Sequence, residues 1–505
     1  MPKWNHILNF NFVDCQIDQA DISMALASLL EPLNALGAIL AALASIAVYR
    51  VYFHPLAHIP GPLQAKLSSI WLYRLSYRGT EATVIDELHR RHGPVVRIAP
   101  NEVDISDGAA INTIYVKSGG FMKNNCYVNF DIDDFHTLFS ALDPAHRAVR
   151  SKAVVNMFSQ SNIREGQALI QECVQRMVDK MKMERDQSDG KPVNLLNITR
   201  SLAIDAVTAY LFHKSYNGIM EAKLSASQFV DTFVAVGRFF YLPHWLFVWL
   251  EMWQSRLEEF KPQVYHSLAA VDKFASQIVD EARKNDTSDG QTYQARLLNA
   301  GISREETIAQ CKDLMFAGTD STGMNMATIC WYLARQPDTY SKLRKEVIEQ
   351  PDADPQTLTY LAGVIKEGLR LSMANPTRLP RIVPSIGLHI TGLPPIPAGT
   401  SVGVSAFSVH FNEKVFAEPH TFRPERWANP TEEMLRDFFA WGAGPRQCIA
   451  RNLATAELFW AVQAIVQDDV LSGAKAVQDE IKILEWFNSK VIGEKIELVW
   501  PTASS

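Results

Sequence analysis

The chain has 505 residues, 47% of them apolar and 21% charged, with a net charge of -6 at neutral pH. That length supports a large buried core, and that composition excludes a disordered or fibrous chain. The acidic balance, with no basic cluster set against it, speaks against a nucleic-acid partner.

Between Glu31 and Arg50 the sequence PLNALGAILAALASIAVY carries no charge, and the apolar run continues through Val51, Tyr52 and Phe53. A spanning helix needs roughly 20 residues, so the run suffices if Arg50 extends its guanidinium to the interface. Asp14, Asp18, Asp21 and Glu31 precede it against one lysine, Lys3, whereas Arg50, Lys66, Arg74 and Arg78 follow it. That asymmetry places everything after the run in the cytosol. A cleaved signal peptide and a buried alanine-rich helix are the competing readings; the former would start nearer the N-terminus with basic residues first. The expected division is a lumenal segment over 1–31, a transmembrane anchor over 32–53, a proline-rich hinge over 54–62 and a single body over 63–505.

The body opens on HGPVVRIAPNEVDISD, whose alternation predicts a hairpin around Val95 and Ile105. From there to about residue 372 the pattern is mostly helical. HRAVR sets His146 and Arg150 at i, i+4 on one helical face, which also describes a solvated surface pair. The aromatic stretch FFYLPHWLFVWLEMW (239–253) reads either as a core helix or as a surface touching the bilayer. A long helix is expected over 303–336, with Ser303 and Glu306 as a capping box and Pro337 beyond its end. AGTDST (317–322) lies in its middle, where Gly318 and the hydroxyls of Thr319, Ser321 and Thr322 favour a local distortion, or mark a small-residue packing spot. Glu367 and Arg370 stand at i, i+3 among Val364, Ile365, Leu369 and Leu371. Residues 380–410 turn strand-like, and a helix resumes after Cys448.

The six cysteines (Cys15, Cys126, Cys173, Cys311, Cys330 and Cys448) show no CxxC spacing and no local histidine, so reduced thiols are expected rather than zinc or a disulfide framework. Cys448 sits in WGAGPRQCIARNLATAE. A cysteine at a helix N-terminus tends toward thiolate, glycines 442 and 444 let backbone approach it, and Arg446 can fork onto a carboxylate. Such a set suits a metal with a sulfur ligand, and haem iron held by cysteine is one case. A buried structural cysteine is the competing reading.

WGAGPRQCIA resembles the haem-binding loop of the cytochrome P450 family. Against FGxGxRxCxG, Gly442, Gly444, Arg446 and Cys448 match, while Trp441 replaces the phenylalanine and Ala450 the last glycine. AGTDST resembles the family's AGxDT oxygen-binding motif, with Asp320 as the acid and Ser321 as the alcohol. VIKEGLRLS resembles ExxR, and Arg426 in FRPERW its third partner. HRAVR resembles HxxxR, and Arg381 in LPRIVP a further propionate arginine. The hinge and HGPVVRIAPNE resemble the filamentous-fungal branch.

The resemblance implies a mainly α fold, a triangular α-rich prism with a small β region behind one transmembrane helix. It implies haem b with Cys448 as iron ligand, held by Arg446, Arg381, Arg150 and His146 and faced by Ala317 and Gly318. It assigns proton delivery to Asp320 and Ser321 beside Thr322, and a structural network to Glu367, Arg370 and Arg426. Electrons would come from NADPH through a separate reductase. With O2, the enzyme would hydroxylate or epoxidise a lipophilic small molecule, a terpenoid or polyketide of secondary metabolism, at the endoplasmic reticulum membrane. Residues near 120–135, the 235–253 region, Phe316, Ala317 and Asn375 to Leu379 would line the substrate pocket. Dehydration, isomerisation or coupling without oxygen insertion, a non-catalytic haem sensor and a cysteine hydrolase are the alternatives.

Overall fold

The computed structural model describes residues 19–258, 262–284 and 290–501. The chain divides into two units, Met1–Ala57 and His58–Ser505. In the first, helix α1 runs over Gln19–Val48, so it starts well before the boundary expected at residue 32. Of the expected lumenal segment 1–31, residues 1–18 lie outside the described residues. Over Asn34–Phe53 the mean hydropathy is 1.8 and no residue is buried, with Leu36, Ile39, Leu40 and Leu43 all exposed. Leu195–Phe212 is long and apolar enough to pass the same test, at 1.2, yet 94% of it is buried. Apolar length alone therefore does not separate a span from a core helix; the surroundings do.

In the second unit the predicted hairpin forms: β1 (Val95–Ala99) and β2 (Glu102–Ile105) pair antiparallel, Val95 opposite Ile105, with an irregularity between Arg97 and Ala99. β3 (Met122–Lys123) follows. Helix α2 (Pro144–Val154) starts where Asp143 accepts from Ala145 N (2.9 Å) and His146 N (3.2 Å), with Pro144 preset for the first turn. Helix α3 is the buried Leu195–Phe212, and α4 is the aromatic His244–Glu258. The long helix α5 spans Arg304–Arg335 without interruption.

The capping box at the start of α5 is half made. Glu306 N donates to Ser303 Oγ at 3.1 Å, but the Glu306 carboxylate turns to Arg150 instead of back to the cap. The distortion expected at AGTDST is absent as well. Thr319 and Ser321 return their hydroxyls to the carbonyls of Met315 (2.5 Å) and Ala317 (2.9 Å), four residues back, and the helix continues. The small residues serve close packing: a Cβ on Gly323 would lie 2.8 Å from Arg200 Cα, and one on Gly318 2.8 Å from Val207 Cγ2.

Helix α6 (Thr359–Ser372) carries the ExxR pair, and the strand-like region resolves into short β4 (Arg381–Ile382) and β5 (Ser401–Gly403). The sheet order is β1-β2-β5-β4-β3, with only the β2–β5 pair parallel. Lys123 stands opposite Arg381 across β3 and β4. Helix α7 (Arg451–Gln467) follows the cysteine loop and is buried along Leu453, Ala456, Trp460 and Ala461. The fold is mainly α with a small β portion, as expected. Of the cysteines, Cys126, Cys173, Cys311 and Cys330 are buried and free.

Candidate active site

The loop before α7 is shaped by two glycines with positive φ, Gly442 at 67° and Gly444 at 70°. A side chain on Gly444 would stand 1.8 Å from Tyr115 O, so only glycine allows this approach. Cys448 N donates to Trp441 O at 2.9 Å, closing the loop and turning the sulfur into a cavity of about 270 Å³. Cys448, Trp441, Gly442, Arg446 and Ala450 line one wall; Phe316, Ala317, Gly318, Ser321 and Thr322 of α5 line another.

The thiol was expected to be acidified by the helix end. Instead, although the side chain is open to the cavity, the surrounding protein desolvates the thiol and pushes it up to about 11, with the Ala450 amide and Arg451 pulling the other way. The regular helix starts three residues later, at Arg451, so the helix-end field is weaker at the sulfur than the sequence promised. A metal at the sulfur would deprotonate it outright.

Four cations crowd the same cavity: Lys123, Arg147, Arg381 and Arg446. Burial drives Lys123 well below its usual pKa, and Arg381, Arg446 and Arg147 add repulsion. Lys123 Nζ lies 4.0 Å over the Tyr127 ring and donates to Phe139 O. Arg446, likewise lowered to about 10 by burial, Arg147 and Arg381, donates through Nη2 to Ala141 O at 2.6 Å while its buried Nη1 has no partner. Arg381 Nη1 donates to Tyr127 OH at 3.0 Å. Arg147 Nε is also buried, and like Arg446 Nη1 it has no partner among the described residues. The acid on this wall, Asp313, is itself raised to about 6 by burial. A site with this charge excess and orphaned donors fits a flat apolar ligand with anionic edges. Carboxylates at that rim, beside a thiol in a glycine cradle, are what haem would bring.

Not every predicted residue is here. His146 and Arg150 lie outside the cavity lining. Arg150 forks onto Glu306 (Nη2 to Oε2 2.7 Å), and His146 Nε2 sits 3.9 Å from the same carboxylate. Glu306 is free for this because it does not complete the capping box. Arg147, one residue on from His146 in α2, takes the cavity position; the i, i+4 spacing that favoured the other pair gave no sign of it.

Asp320 is likewise not on the wall. It is buried against Arg200 of α3 (2.5 Å), which also meets Asp231 at 3.3 Å, so the alcohol of the pair faces the cavity while the acid faces the ion pair. Gly323 makes the room Arg200 occupies. No residue of 235–253 lines the cavity either: Phe240 and Tyr241 pack behind Tyr127 and Phe487. Phe487 and Asn488, near the chain end, do line it and were not anticipated.

Glu367, Arg370 and Arg426 are brought together in one buried cluster. Glu367 accepts from Arg370 (2.8 and 3.0 Å), Arg426 Nε (2.9 Å) and Trp427 Nε1 (2.9 Å), all in the interior. Sequence spacing missed its link to the cysteine loop. Phe439 N donates to His410 Nε2 at 2.8 Å, which fixes the proton on Nδ1, and Nδ1 donates to Arg370 O at 3.0 Å. Burial and Arg370 lower the His410 pKa to about 3, so the imidazole is neutral.

The profile of the family described as Cytochrome P450 matches residues 60–479. The chain belongs to the cytochrome P450 family. It is 37% identical over 499 residues, 93% of this chain and 99% of the relative, to cytochrome P450 monooxygenase mfmF of Annulohypoxylon moriforme. It is 28% identical to the fusicoccadiene C-8 hydroxylase of Alternaria brassicicola over 83% of this chain and 85% of that one. To the pisatin demethylase of Fusarium vanettenii it is 27% identical, over 83% and 86%. The P450 is therefore a monooxygenase of a family whose haem the cavity fits, with fungal secondary-metabolism relatives.

Proposed function

We propose that this P450 inserts one oxygen atom from O2 into a lipophilic small molecule of secondary metabolism, by hydroxylation or epoxidation, using NADPH electrons passed by a separate reductase. The observation that carries the reading is Cys448 opening into a mainly apolar cavity beside four cations with too few acids to balance them. Haem held there would supply oxygen activation, with the Cys448 sulfur as its iron ligand. Arg147, Arg381, Arg446 and Lys123 would bind its propionates. The Ser321 hydroxyl, held by Ala317 O, would pass protons into the cavity, and Phe316, Phe487 and Leu379 would exclude water and orient the substrate. Asp320 supports this indirectly, by fixing α5 through Arg200.

The exposed run of α1 supports a single-pass anchor at the endoplasmic reticulum, with the body in the cytosol. Helix α4 supports membrane contact by the body: Trp245, Trp249 and Trp253 are exposed while Phe247 is buried. Turnover with reductase and NADPH under 18O2 tests the reading. A product carrying one 18O atom is expected; an unlabelled product would assign dehydration, isomerisation or coupling instead.

A further inference from the structure

The cavity lining also includes the uncharged polar residues Asn375, Thr377 and Asn488. Asn375 Nδ2 donates to Phe487 O at 3.0 Å, and Ser489 N donates to Ala374 O at 2.9 Å. These two bonds set Asn375 beside Asn488, and both residues line the cavity. A carbonyl can only accept, so the bond to Phe487 O fixes the Asn375 amide with Oδ1 as its free atom. The Asn488 carboxamide has no protein partner among the described residues. Thr377, two residues beyond Asn375, lines the same cavity and buries a hydroxyl that has no partner among the described residues. Around them stand Phe316, Leu379 and Phe487. The buried Thr377 hydroxyl is costly unless a ligand satisfies it, and the two half-buried amides offer that ligand directed partners.

We infer that Asn375 and Asn488 form a hydroxyl-binding corner, so that the lipophilic substrate already carries an alcohol or phenol when it enters. The inference rests on the monooxygenase reading above. A hydroxyl donates to Asn375 Oδ1 and accepts from Asn488 Nδ2 at once. An ether or ketone oxygen accepts from Asn488 and meets Asn375 Oδ1 without a proton between them, and a hydrocarbon leaves both amides unpaired. The reaction supplying this substrate must therefore be one that leaves a free hydroxyl: an earlier hydroxylation, a ketone reduction, or formation of a phenolic ring.

The test uses the haem-loaded full chain and three matched probes: biphenyl, 4-hydroxybiphenyl and 4-methoxybiphenyl. Binding is read by equilibrium dialysis alongside the spin-state shift of the haem band. The wild type should hold 4-hydroxybiphenyl at least roughly three- to tenfold tighter than either of the other two, the range of one neutral hydrogen bond. Asn488→Leu should erase that ratio while binding biphenyl at least as well. Asn375→Leu should also erase it, but this change severs the bond to Phe487 as well, so N488L carries the test. Equal constants for the three probes, no binding of any, or an unchanged ratio in N488L would overturn the hydroxyl corner. If the reduced, CO-bound spectrum is intact, only this inference falls; if the wild type lacks a thiolate-type spectrum, the monooxygenase reading falls with it.

Discussion

At the scale of single residues, Arg147 and Arg150 sit three apart on α2 yet do different work. Arg147 faces the cavity with an unpartnered Nε, and Arg150 spends its fork on Glu306. Arg147→Ala should release haem at least tenfold faster to an acceptor such as apomyoglobin. Arg150→Ala should leave that rate within about twofold and lower the thermal midpoint, since a half-buried charged hydrogen bond is worth about 1.5–3 kcal/mol. Equal haem loss from both variants would contradict the assignment.

His410 makes a second residue-scale prediction, in pH. Its folded pKa of about 3 lies below the unfolded value of about 6.5, so between the two the unfolded chain binds a proton that the folded chain refuses. The stability is fully present above pH 6.5 and falls as pH drops toward 3, by at most about 1.4 kcal/mol per pH unit. His410→Gln should flatten the acid limb of a stability–pH curve relative to wild type, while lowering stability at neutral pH through the Phe439 amide it serves less well. Parallel acid limbs would count against it. None of this was visible in sequence: Cys448, Arg446 and the ExxR pair announce themselves by spacing, but His410 is defined by a bond to a residue 29 positions away. Arg147 and His146 are adjacent, and spacing cannot tell which of them faces inward when the neighbour that decides it, Glu306, is 156 residues from Arg150.

At the scale of elements, α3 and α5 are joined by two glycines and one ion pair. Gly323→Ala would press a methyl onto Arg200 backbone, which cannot yield as a flexible side chain does, so a loss of about 1–3 kcal/mol or more is expected in chemical denaturation. Asp320→Ala would leave Arg200 only its 3.3 Å contact with Asp231 in the interior and should cost up to about 3–5 kcal/mol. If Asp320→Ala kept wild-type stability and lost only turnover, the acid would belong to the proton path rather than the scaffold. The extent and ends of α5 were legible because Ser303 caps it and Pro337 follows it. The fate of Asp320 was not, because a motif gives the order of residues and not the direction in which each side chain leaves the helix.

At the scale of the whole molecule, the chain forms an apolar N-terminal unit and a body with its own core. Removing residues 1–53 should leave the haem spectrum of the body unchanged while abolishing carbonate-resistant membrane association. Residual, salt-insensitive binding to vesicles should persist and fall when Trp245, Trp249 and Trp253 are replaced by serine. Loss of haem on truncation would contradict two separately folded units. The helical body with its small β region was readable from periodicity and turn residues. The joining of Lys123 to Arg381 in one cavity was not, because it depends on pairing two-residue strands far apart in the chain.

The central claim is that the Cys448 sulfur is the thiolate ligand of a haem held in this cavity. The most direct measurement is the absorption spectrum of the dithionite-reduced protein under carbon monoxide. A strongly red-shifted Soret band, abolished in Cys448→Ala, is predicted. Well-folded protein that binds no haem, or a band at the histidine-ligated position that Cys448→Ala leaves unchanged, would contradict it.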